Sequence, residues 1–160
     1  MGKHVMFRSD AMAGTVMGQY LVSLRMSADM DNGMLVGVGA LETGEREVKA
    51  VKAIAAATKI GEMAILGSEE VDKEKTFDTV GEFTNKSGSI ARGYVLHAGD
   101  VYAVTEGAFD GGVPTAGAAV YAKAASNKHT TTKESNAALG TCEAVETDGA
   151  TTWYVIRVGA

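Results

Sequence analysis

The sequence predicts a mainly β fold, a small β-barrel or sandwich-like domain with an extended N-terminal arm. Short apolar runs recur along the 160 residues, each closed by Gly, Asn or Asp, which is the punctuation of strands and turns. Twenty glycines, a single proline and few aromatics point to small, closely approached cores. Seven of the eight methionines (Met1, Met6, Met12, Met17, Met26, Met30 and Met34) fall within the first 34 residues. That segment contains "RSDAMAGTVMG", which sustains neither a helical nor a strand period. Two parts follow: residues 1–34 as a Met-rich arm or subunit-contact segment, and residues 35–160 as one β-rich domain.

The strands are justified in chain order. "QYLVSLRM" reads as a short strand, and Asn32-Gly33 suits a tight hairpin turn whose central residues need positive φ. "MLVGVGALE" reads as the returning strand, with Gly37 and Gly39 weakening it or admitting a close neighbour. Residues 45–59 satisfy a helical stripe through Val48, Val51, Ile54 and Ala55, yet also alternate. Their β neighbours and the bracketing Gly44 and Gly61 favour strand. "EMAILGS" is the next strand, followed by a polar excursion pinned by Phe77, Val80 and Phe83.

Ser89 to Gly112 then reads as two strands joined by the turn His97-Ala98-Gly99-Asp100. Asp100 should accept backbone N–H bonds there and His97 should lie exposed. "AAVYAKA" is a further strand. Ser126 to Asn136 contains no apolar residue and reads as an exposed loop. "LGTCEAVET", the turn "DG" and "ATTWYVIRV" form the closing hairpin. In its last strand both faces are largely apolar, so that strand should be central or covered on both sides.

Composition narrows the function classes. A formal charge of −5 argues against a general nucleic-acid binder, which needs a concentrated basic face. No run approaches the ~20 apolar residues of a membrane helix, and the N-terminus lacks the apolar stretch of a secretory signal. Cys142 is the only cysteine, so no intrachain disulfide forms, and its setting suits a small buried hydrophobe.

Familiar chemical motifs fail on spacing. "DMDNG" puts Met34 where a calcium loop needs Gly and Ala40 where it needs a bidentate Glu. "GVGALE" has Glu42 in place of the third glycine of a dinucleotide fingerprint. An enzyme would need His97, Asp100, His129 or Cys142 to converge in a pocket, and a zinc site would have to form without any short ligand pair. Asn85-Lys86-Ser87 is a formal glycosylation sequon that says only that the segment is a loop.

At "FTNKSGSIARGYVLHAGDVYAVTEGAF" the chain resembles the head decoration, or cement, proteins of tailed bacteriophages. The similar region runs from about Glu62 to Val158. Its best pieces are Phe83-Thr84-Asn85, Ala91-Arg92-Gly93-Tyr94, Gly99-Asp100-Val101 and the terminal "TTWYVIRV". The resemblance implies a structural virion protein made in the bacterial host cytoplasm and located on the capsid exterior. It would bind the major capsid protein and stabilise the shell as a small homo-oligomer, a trimer being favoured. It implies no cofactor, no turnover, no nucleic-acid partner and no membrane. The N-terminal forty residues fall outside the resemblance.

The interface residues read from the sequence are Met6, Phe7, Met12, Met17 and Tyr20. The loop from Ser126 to Asn136, with Lys128 and His129, comes second. Two other readings stay open: a tail or head–tail connector component, and a small barrel module binding a ligand through Tyr94, Tyr102, Tyr121 or Trp153.

Overall fold

The computed structural model describes residues 4–71 and 80–159. Among the described residues the chain forms eleven strands, one short α-helix and four single-turn 3-10 helices. The strands are β1 (Phe7–Ala11), β2 (Leu21–Arg25), β3 (Leu35–Leu41), β4 (Val48–Lys52), β5 (Met63–Leu66), β6 (Ile90–Val95), β7 (Val101–Thr105), β8 (Ala119–Ala122), β9 (His129–Thr130), β10 (Ala137–Asp148) and β11 (Thr151–Val158). The helix α1 is Ala13–Val16. The fold is mainly β, as the sequence predicts, and has two layers. Strands β2-β4-β3-β5-β6 close into a barrel, and β1-β7-β11-β10-β8-β9 form a six-stranded sheet. Closure leaves the barrel without a free edge.

Two cores follow from strand alternation. Inside the barrel Val22, Leu24, Met26, Val36, Ala64, Leu66 and Ala91 pack on one another. Between barrel and sheet lies a larger core that takes Leu35, Met63, Ile65 and Leu96 from the barrel's outer wall. The sheet contributes Tyr102, Val104, Tyr154, Ile156 and Val158 to it. Strand β5 serves both cores: Ala64 and Leu66 point into the barrel, Met63 and Ile65 toward the sheet. All four residues of "MAIL" are therefore buried, and a continuous apolar run marks a strand covered on both faces. Each such large side chain contributes about 1.5–3 kcal/mol by leaving water.

At Gly37 and Gly39 strand β4 comes so near that an added Cβ would lie 2.7 Å from the carbonyl oxygens of Lys52 and Ala50. The segment 45–59 supplies β4 and no helix; Ser23, Leu24 and Arg25 of β2 align with Val48, Lys49 and Ala50 in parallel.

The pairing of the strands corrects three readings. Strand β2 does not return on β3 as a hairpin; it pairs with β4 and β6, while β3 pairs with β4 and β5. Gly33, at φ 81°, still makes a turn, but that turn carries the chain across the barrel. The apolar runs of 89–112 do not pair with each other either. Strand β6 belongs to the barrel, β7 lies between β1 and β11 in the sheet, and His97–Asp100 hands the chain from one layer to the other. The third correction concerns the exposed loop 126–136. Within it His129 and Thr130 form β9 against β8 and are buried.

The N-terminal segment is not separated from the rest at residue 34. Strand β1 is hydrogen-bonded into the sheet, β2 is a barrel strand, and Val5, Met12 and Met26 are core residues. Of the residues expected to pin the 69–88 excursion, Phe77 lies outside the described residues and Phe83 is half-buried. The edge strand β1 is guarded by a register shift between Ser9 and Ala11 and by charged Arg8 and Asp10, the devices that discourage edge-to-edge pairing. Strands β10 and β11 close the chain as the predicted hairpin, with β11 inside the sheet. One face of β11 is core; on the other Val155 is buried, Arg8 sits 5.3 Å over the Trp153 ring, and Arg157 is exposed.

Candidate functional site

Among the described residues, the turn between β1 and β2 presents two adjacent exposed apolar side chains. Val16 is 83% exposed and Met17 51%. Local bonds hold this tip in shape. The Thr15 N–H and Oγ1 both donate to the Met12 carbonyl, at 3.1 and 2.6 Å, and the Met17 N–H donates to Ala13 O at 2.8 Å. Met12, only 4% exposed, roots the turn in the core between the layers. Asp100 fixes it from the side: one carboxylate oxygen accepts the Ala13 N–H and the other the His97 N–H, both at 2.8 Å. The expected role of Asp100 as a turn acceptor is present, with a long-range bond added.

Tyr20 packs on the His97 ring at 3.9 Å between centroids, so His97 is half-buried rather than free in solvent. Gly14 lies against Tyr94, where a Cβ would fall 2.7 Å from the ring. From Ala11 to Leu24 the sequence carries no charged side chain. The result is a rigid, neutral, apolar tip on an acidic protein.

A cleft of about 570 Å³ opens at the other end of β1, on the seam between barrel and sheet. Val5 and Phe109 are its most buried lining residues, with Met34 beside them. His4 Nδ1 lies 2.8 Å from Asp31 Oδ1, and Asp31 Oδ2 accepts the Val5 N–H at 3.0 Å. Opposite this pair stand Thr151 and Thr152 of β11, with Glu106 and Lys128 adding one charge of each sign.

The sequence-predicted contact residues divide three ways. Met17 is exposed, as a contact residue must be. Met6, Phe7, Tyr20 and Lys128 are half-buried. Met6 and Lys128 line the seam cleft, while Phe7 packs between Tyr94 and Tyr102 with centroids 5.9 and 6.2 Å away. Met12 and His129 are buried and present nothing to a partner. Sequence reasoning missed Val16, the most exposed large apolar residue described, and missed His4 with Asp31. Val16 was legible from the uncharged run around it; the cleft depends on contacts between distant segments.

His129 is fully buried. Its Nδ1 is 3.2 Å from the Ala108 carbonyl, which can only accept, so Nδ1 carries the proton. Nε2 then accepts from the Tyr102 hydroxyl at 2.8 Å. Burial holds this imidazole at a pKa of about 4, against the upward pull of the Ala108 carbonyl. Burial first, then the Asp100 charge, pushes the Tyr102 phenol well above its ordinary range. Both rings stay neutral across physiological pH. Burial likewise raises the Cys142 thiol, whose hydrogen bond to Ala144 O pulls weakly the other way.

His97, Asp100, His129 and Cys142 thus each have a partner inside the fold, and they do not share a pocket. Among the described residues no group of three or more His, Cys, Asp or Glu side chains is placed to hold a metal ion. The four aromatics considered as a ligand platform are also dispersed. Tyr102 is buried, Tyr94 packs on the core, Tyr121 lies on β8 and Trp153 sits beneath Arg8. No helix among the described residues is long and apolar enough to cross a membrane.

No protein-family model, no curated protein and no solved structure matches the chain.

Proposed function

We propose that this chain is a structural protein of a tailed-bacteriophage particle, assembled on the capsid exterior, where it contacts the major capsid protein and stabilises the shell. In this reading it acts as a small homo-oligomer, without cofactor or turnover. The observation that carries the contact role is the Val16–Met17 tip: two large apolar side chains held out in water by a turn bonded to Asp100 and rooted by Met12. Exposed apolar groups held in a fixed shape favour association, because little conformational freedom remains to be lost on docking. The identity of the partner rests on the resemblance to decoration proteins. Repetition over the shell lets a modest contact act strongly, since neighbouring sites raise the effective concentration.

A second reading, a tail or connector component, is favoured by the β10–β11 ribbon. Strand β7 ends opposite Trp153, yet the ribbon continues through Thr147–Thr152 and Asp148–Thr151. Such an extension suits ring contacts. Separating heads from tails of the purified particle and identifying the chain by mass spectrometry decides between the two. Recovery with heads supports the shell reading, recovery with tails transfers the protein to the second, and recovery in neither refutes both.

A further inference from the structure

We propose that Asn32-Gly33 is a one-way modification site. The fold holds off its deamidation, and deamidation, once it occurs, unlocks a side-chain clasp joining Ser68 and Asn85 to the Asp31–Gly33 turn. The site stands apart from the virion role.

Of the four asparagines only Asn32 precedes a glycine. A following residue without a side chain leaves its backbone nitrogen open to approach the asparagine amide. In deamidation the Gly33 nitrogen loses its proton to solvent, bonds to Asn32 Cγ and expels the side-chain nitrogen as ammonia. Water then opens the cyclic imide to aspartate or isoaspartate. An amide becomes a carboxylate, with no oxidant or reductant involved.

The fold demands both halves of this labile pair. Gly33 has φ 81°, and a Cβ there would meet Val104 Cγ1 at 3.0 Å and Val5 Cγ1 at 3.1 Å. Asn32 is 2% exposed and must both donate and accept. Its Nδ2 donates to the Ser68 carbonyl at 2.9 Å. Its Oδ1 accepts from the Ser68 N–H at 3.0 Å and from Asn85 Nδ2 at 3.1 Å. Only a primary amide supplies both functions from one short side chain. Asn85 is itself held by paired backbone bonds with Met30, at 2.8 and 2.9 Å. Asn32 thus fastens two distant segments, Ser68 just past β5 and Asn85 before β6.

The same contacts block the reaction. The Gly33 N–H donates to Leu66 O at 2.7 Å, and the Asn32 amide is fixed at both its oxygen and its nitrogen. Attack requires the Gly33 N–H to leave Leu66 and the amide to turn, which is a local opening. Conversion then forbids return. A carboxylate oxygen in place of Nδ2 cannot donate and would face the Ser68 carbonyl. Asn32 also hydrogen-bonds the Glu70 carboxyl, so two carboxylates would stand against each other at a buried position.

The test follows the tryptic peptide 26–46, in which Asn32 is the only asparagine, by mass spectrometry in mildly alkaline buffer. Hydrogen exchange follows the Gly33 amide in parallel, and denaturing urea gives the unblocked rate. Folded wild type is expected to convert at least about 100-fold more slowly than the unfolded chain. That slowing should match the exchange protection of the Gly33 amide within about tenfold, because both need the same opening. Asn85→Ala removes one arm of the clasp and should convert about tenfold faster than folded wild type. Asn32→Asp makes the product directly; it should melt at least about 5 °C lower and be cut by trypsin after exposed Lys86 sooner than wild type.

Equal conversion in folded and unfolded chains overturns the inference, as does slowing unrelated to Gly33 exchange or an Asn85→Ala protein no faster than wild type. An Asn32→Asp protein that melts and is cut like wild type overturns the unlocking. Should Asn85→Ala not fold, wild type in urea below its unfolding transition replaces it. Conversion must then rise in step with Gly33 exchange, and a flat rate refutes the block.

Discussion

Acid should weaken the fold through one residue, His129. Its imidazole titrates at about 4 in the folded protein and near 6.5 when unfolded. Above pH 6.5 both states hold it neutral and stability is unaffected. Below 6.5 the unfolded chain takes up a proton that the folded chain refuses until about pH 4, so acidification favours unfolding. The loss accrues at about 1.4 kcal/mol per pH unit and totals about 3 kcal/mol by pH 4. Full burial in the sheet core means that solvent does not screen this effect away.

The control is His129→Gln, whose amide can donate to Ala108 O and accept from Tyr102 but does not titrate. Urea unfolding of both proteins at pH 7 and pH 5 isolates the term, because the carboxylates titrate in both. The wild type should lose about 2 kcal/mol more than the variant over that interval. Equal losses, or an imidazole resonance titrating near pH 6.5 in the folded protein, would refute the reasoning.

Other perturbations test the packing and the tip. Tyr102→Phe removes the hydroxyl that donates to His129 and leaves a buried acceptor unmatched, lowering stability by about 1–3 kcal/mol in urea titrations. Deleting residues 1–17 strips β1 from the sheet together with buried Val5 and Met12, a loss of at least about 3–6 kcal/mol from those two side chains, so the product should lack a cooperative melt. Asp100→Ala leaves the Ala13 and His97 N–H groups without their acceptor; a drop of about 2–4 kcal/mol and faster hydrogen exchange at Ala13 and Met17 are expected. By contrast, Val16→Asp should shift stability by no more than about 0.5 kcal/mol, since its side chain lies in water.

Strand positions were largely legible in the sequence, because alternation and turn residues act locally. Partners were not. The runs flanking His97–Asp100 look like a hairpin, yet Gly93 faces Leu24 inside the barrel while Tyr102 and Val104 face the sheet core. A local pattern records that a residue is buried, not which distant residue buries it. The same limit explains His129. A stretch without apolar residues reads as exposed, but a histidine can be buried once Tyr102 and the Ala108 carbonyl satisfy both ring nitrogens.

Methionine enrichment was equally silent on direction. Met12 and Met26 fill the two cores, Met17 faces water, and nothing in composition separates them. Residues 45–59 remained open between helix and strand until β2 appeared beside them, a neighbour more than twenty residues away. The site was half legible: the uncharged stretch from Ala11 to Leu24 advertises a contact surface, whereas the cleft is assembled from the N-terminus, the Asp31 turn, Phe109, Lys128 and the end of β11.

The central claim is that the protein works by docking on a shell, with its tip as the contact that makes docking strong. On the proposed reading, the direct measurement is to titrate expanded, undecorated capsids of the phage that would encode the chain with wild type and with the Val16→Asp, Met17→Asp variant, counting bound copies after sedimentation. Saturable binding at a fixed number per shell symmetry axis, reduced at least tenfold in affinity by the variant, is the predicted result. Absence of wild-type binding by a folded protein, or equal binding by the variant, would contradict it.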